Sequence, residues 1–141
     1  MEFDEQSAAK REELFVRAFI VPEKRERYLE FLKKPKRRGE ILGRMYHMLD
    51  VIPARMLPVA NRDQSPDAVE SCLRQKGAGK TCYAISPNDA LDRKEFLLRE
   101  ALERLTAEDG VAVLCCLPGR LAYYKAEAGQ YVLTNSAEGL Y

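Results

Sequence analysis

Between Thr81 and Lys125 the spacing of apolar residues changes three times, and each change marks an element. Thr81 to Ser86 (TCYAIS) is a short β-rich run that ends in a polar loop. Leu98, Ala101, Leu102 and Leu105 then recur at spacings of three and four, which places them on one face of a helix. The pattern predicts a helix over about 93–107, with Asp92 as N-cap, Glu95 at capping-box spacing and Gly110 placed to end it. Val111 to Leu117 is apolar without interruption, as suits a strand buried on both faces. Pro118-Gly119 marks a turn that is longer than a two-residue hairpin or carries a bulge. Leu121 to Lys125 returns antiparallel, with Tyr123 and Lys125 towards one face and Ala122 and Tyr124 towards the other.

The N-terminal third has helical spacing throughout. Leu14, Phe15 and Ala18 predict a first helix, and Tyr28, Leu29 and Leu32 a second that begins near Pro22 and stops before Pro35. A third helix spans about Arg37 to Leu49, with Ile41, Leu42, Met45, Met48 and Leu49 on its apolar side and His47 on the solvated one. Ala54 to Val59 reads as a short strand. Ser65-Pro66 then starts a helix that carries Val69, Cys72 and Leu73 and closes at Gly77. Gln130 to Thr134 adds an edge strand, and residues 135–141 form a tail. The expected fold is a single α/β (or α+β) domain: a helical layer over residues 1–50, then a βαβαββ sheet with a C-terminal hairpin over 51–134.

The segments CYAIS, LDRKE and LPGRLAYYK resemble a pattern in small uncharacterised bacterial proteins. The resemblance covers about a third of the chain and implies no activity.

With 141 residues, 46% hydrophobic and 32% charged, the chain has the composition of one globular core. No apolar run approaches the roughly 20 residues that span a bilayer. The acidic start MEFDEQ lacks the apolar segment of a secretory signal, so a cytoplasmic location is expected. Cys72, Cys82, Cys115 and Cys116 include no CxxC pair, and His47 is the only histidine, so neither a metal nor another cofactor is expected. Core thiols in a reducing compartment are the simpler reading.

Charge is uneven. From Lys10 to Arg44 twelve Lys and Arg face six Glu, a net of +6, while the whole chain is +1. The densest cluster is Lys33, Lys34, Lys36, Arg37 and Arg38, at the joint between the second and third helices. Such a cluster either neutralises phosphates or an acidic protein surface, or is a solvated turn. A second candidate site rests on the carboxyl ends of the strands. If the strands near 55–59, 82–86 and 111–117 are parallel, their following loops gather Arg62, Asp63, Ser86, Asn88, Asp89 and Arg120 at one edge. Arginine there would fork onto a carboxylate or phosphate, and Asp63 and Asp89 would serve a small enzyme. Turn and cap chemistry explains the same residues without a ligand.

Gly77-Ala78-Gly79-Lys80-Thr81 is not a P-loop. Arg74 stands where the first glycine belongs, and the order is helix, loop, strand. No nucleophile motif surrounds His47. The sequence therefore favours a non-catalytic binding protein that meets an anionic partner through the basic joint; the alternative is the strand-end enzyme.

Overall fold

The computed structural model describes residues 5–108 and 110–135. Three helices come first: α1 (Glu5–Phe19), α2 (Arg25–Leu32) and α3 (Pro35–Tyr46). The remaining order is β1 (Met56–Pro58), α4 (Pro66–Gln75), β2 (Thr81–Ile85), β3 (Glu95–Leu97), α5 (Leu98–Glu108), β4 (Ala112–Leu117), β5 (Leu121–Ala126) and β6 (Gly129–Thr134). The strands form one sheet in the order β1-β6-β5-β4-β2-β3, antiparallel at every pairing. The α/β class, the N-terminal helical layer and the C-terminal hairpin are as the sequence predicts.

The unbroken apolar run of β4 has a direct cause. Val113 and Cys115 face the layer formed by α1, α2 and α3, and Ala112 and Leu114 face α4 and α5. Each face is dry, so neither parity of the strand tolerates a polar residue. In β5, Ala122 and Tyr124 join the first core and Tyr123 the second, which is the predicted alternation. The β4–β5 turn carries the expected irregularity, a register shift between Cys115 and Leu117. Gly119 takes φ +69 there and lies against Leu14 of α1.

Helix ends follow their residues. The Ser65 hydroxyl accepts from the Ala68 amide, and Pro66 opens α4. Gly77 (φ +112) closes it, with the Ala78 amide reaching Leu73 O and the Gly77 amide reaching Arg74 O. The third helix is displaced from its predicted bounds. It starts at Pro35 and ends at Tyr46, because Met48 and Asp50 turn into positive φ and swing the chain towards β1. Leu49 is consequently exposed rather than part of the apolar stripe.

Three expectations need correction. The helix predicted from residue 93 begins at Leu98, because residues 95–97 pair with β2 as β3 and Arg93 takes φ 61. Asp92 and Glu95 therefore cap nothing. The strand at 129–134 is not an edge, since β1 pairs along its outer side. Beyond Asn135 the predicted tail lies outside the described residues. Among the described residues no helix is long and apolar enough to cross a membrane.

Candidate anion-binding surface

The basic joint owes its shape to Pro35. Proline disfavours a helical residue before it, and Lys34 is extended (φ −106, ψ 114) between two helices. Pro35 then supplies the first helical position of α3. The first turn of α3 contains no acidic residue, and no side chain caps it. Lys33, Lys34, Lys36 and Arg37 are all exposed around this helix start. Lys34 pairs with Glu30 at 2.9 Å and Arg37 with Glu40 at 3.4 Å. No ion pair engages Lys33 or Lys36 among the described residues. Arg27 and Arg37 lie over the Phe31 ring at 5.6 and 5.0 Å, so the half-buried aromatic steadies Arg37 and adds Arg27 to the cations on this surface.

Arg38, the fifth residue of the predicted cluster, points the other way. Its guanidinium is buried between two carboxylates. Nη1 and Nη2 donate to Glu12 at 2.8 and 2.6 Å, and Nε and Nη2 donate to Asp92 at 2.8 and 2.9 Å. Nη1 also donates to Leu32 O at 3.0 Å. The Tyr83 hydroxyl donates to Glu12 at 2.6 Å, and the Ser86 amide to Asp92 at 3.0 Å. Burial works against the Arg38 charge, but its hydrogen bonds to Glu12 and Asp92 outweigh it and hold its pKa above the ordinary value. Burial and the Glu12 carboxylate push the Tyr83 hydroxyl up. This hub ties α1, α3, β2 and the β2–β3 loop together. Arg38 is thus spoken for by the fold and is not an exposed anion contact.

The strand-end site does not assemble. Its premise was parallel strands, but β2 and β4 run antiparallel, so the loops that follow them leave opposite ends of the sheet. Arg120 sits in the β4–β5 turn, whereas Ser86, Asn88 and Asp89 sit at the other end, where the Ser86 hydroxyl donates to Val111 O. Arg62 and Asp63 follow β1, which β6, β5 and β4 separate from β2. Arg62 lies 3.8 Å from its neighbour Asp63, and both are exposed. Ser86 and Asn88 serve the loop itself: the Asn88 amide donates to the Ser86 hydroxyl at 3.1 Å, and the Ala90 amide to Asn88 Oδ1 at 2.9 Å. Turn chemistry accounts for them.

His47 is solvated, as predicted, with Nδ1 2.9 Å from Glu127. All four cysteines are free thiols; Cys82 and Cys115 are buried, Cys72 and Cys116 half-buried.

Glu12, Tyr83 and the inward role of Arg38 escaped the sequence reading, since 26 to 71 positions separate the partners. A signal was nevertheless present. Glu12 lies four residues after Ala8 and three before Phe15, so it falls on the buried face of α1. Arg38 precedes Ile41, Leu42 and Met45 by three, four and seven, the buried face of α3. A charge in phase with an apolar stripe requires a buried partner.

Charge is also divided between layers. The +6 window, residues 10–44, forms the α1–α3 layer on one face of the sheet. Helices α4 and α5 on the other face carry five carboxylates against three arginines. Comparison with protein-family models, with curated proteins and with solved structures finds no match.

Proposed function

We propose that the chain is a non-catalytic, cytoplasmic binding protein whose α2–α3 joint contacts the phosphates of nucleic acid. One observation carries the reading: cations, and no acid or side-chain cap, occupy the positive end of the α3 dipole. A cation in that position costs about 0.3–1 kcal/mol. The exposed Arg37–Glu40 pair returns at most about 0.5 kcal/mol. The arrangement is therefore unfavourable in isolation and becomes favourable when an anion sits against the helix start, where the dipole and the lysines act together. Phosphates suit it, because they repeat along a chain and need no precise orientation from lysine. Nothing at the joint is shaped to read base edges, so the reading implies weak sequence preference.

Titration with short single- and double-stranded DNA and RNA at low salt tests the reading. Binding should weaken linearly on a log–log salt plot. Replacing Lys36 and Arg37 by Ala should flatten the slope by up to about two units for a duplex, with the melting temperature unchanged. Absence of binding at about 50 µM protein, inside the usual non-specific range, would refute it and leave an acidic protein surface as the partner to seek.

A further inference from the structure

A cleft of about 460 Å³ opens between α1 and α2. That size lies in the range of small-molecule sites, roughly 300–1,000 Å³. Ala9, Leu29 and Leu32 give it an apolar bed. Lys10, Arg17, Lys33 and Arg93 surround that bed with positive charge. Two carboxylates also line it, and the four cations outnumber them. Both oxygens of Glu12 are taken by Arg38 and Tyr83 beneath the surface. Glu13 is shared between Arg17 at 3.0 Å and Lys10 at 3.9 Å. The hydrogen bond from Arg17 and the charges of Lys10 and Lys33 hold the Glu13 carboxyl below its usual range, a local sign of the cationic field.

An apolar floor under a cationic rim selects a ligand with both properties. An apolar molecule alone would leave the rim's charges facing an uncharged surface, and a bare anion would leave the floor wet. We infer that the α1–α2 cleft is a binding site for a small amphipathic anion: an apolar body of about ten carbons, a size suited to the cleft, with one carboxylate, sulfonate or phosphate head. The body lies on Leu29 and Leu32, and the head meets Lys33 together with Lys10 or Arg17. The site goes beyond the nucleic-acid reading and shares only Lys33 with it. Small-molecule and nucleic-acid binding can therefore fail separately.

Anilinonaphthalenesulfonate, an apolar body with one anionic head, is the probe. Fluorescence titration of the native chain should show one saturable site. Decanoate should displace the dye, whereas decanol and inorganic phosphate, at the same concentration, should not. Lys33→Glu and Ala9→Glu should each weaken binding about tenfold, and Lys33→Gln about threefold. Lys33 and Ala9 are exposed, so these variants should melt like the parent chain. A groove of about 520 Å³ beside Leu57 and Cys72 is the competing apolar surface, and Leu57→Glu there should leave dye binding unchanged. Ala9→Glu should also leave the salt dependence of nucleic-acid binding as it was. Dye binding that does not saturate, that decanol reverses as well as decanoate, or that Leu57→Glu rather than Lys33→Glu weakens would overturn the assignment.

Discussion

Arg38→Met is the most informative single substitution, because it keeps an aliphatic stem and removes only the guanidinium. Five hydrogen bonds go with it. Glu12 and Asp92, with side chains 8% and 14% exposed, are left without their cation. Tyr83 still serves Glu12 and the Ser86 amide still serves Asp92, so the carboxylates are not wholly abandoned. Removing one partner of a buried ion pair costs about 3–5 kcal/mol. For a chain of this length that lowers the melting temperature by roughly 10–20 °C. Urea unfolding of the variant and the parent chain at pH 7, followed by circular dichroism, measures the deficit. A loss under about 1 kcal/mol would refute the argument, since that is how a solvent-screened surface pair behaves.

Asp50 accepts from Arg44 and from Tyr28, and although burial opposes it, these partners hold its pKa below the usual value. Its contribution is present above the unfolded pKa of about 3.9 and lost as pH falls through the depressed folded value. Asp50→Asn should cost about 2 kcal/mol at pH 7 and show a shallower acid limb than the parent in urea melts between pH 5 and pH 2. Burial pushes the Cys116 thiol up to about 12, and Cys82 and Cys115 also rise. At pH 8 an aromatic disulfide reagent should label no more than Cys72 within minutes in the native chain and all four thiols in denaturant. Rapid labelling of three would show that β4 is not the protected centre of the sheet.

Local patterns were legible wherever one residue decides the backbone. Ser65-Pro66 and Gly77 bound α4 as read, and Val111–Leu117 with Leu121–Lys125 became the central pair. Strand direction was not legible. An apolar run reports two covered faces, and helices cover both faces of this antiparallel sheet as they would a parallel one. Asp92 shows a second limit. An aspartate three residues before a glutamate fits a helix start, yet here Arg38, 54 positions earlier, claims the carboxylate. Residues 95–97 then pair with β2 instead of joining the helix. A buried guanidinium outweighs a cap, worth about 1 kcal/mol, against about 3–5 kcal/mol for leaving the ion pair broken. The candidate site divided in the same way: the basic run was visible, but not which of its members turns inward.

Helical phase decides that division, and it links stability to the surface the joint presents. In α3, Arg38 falls in phase with Ile41, Leu42 and Met45 and is drawn into the hub, while Lys36 and Arg37 fall out of phase and stay in solvent. The inward arginine fixes the first turn of α3 to α1 and to the β2–β3 loop. The exposed cations are thus mounted on a helix start that is already held, and an anion that binds there orders side chains but little backbone. The two arginines consequently have separable roles. Loss of Arg37 removes charge from a rigid surface and leaves the melting temperature unchanged. Loss of Arg38 loosens the frame, so it should lower stability and weaken anion binding together, although Arg38 itself touches no ligand.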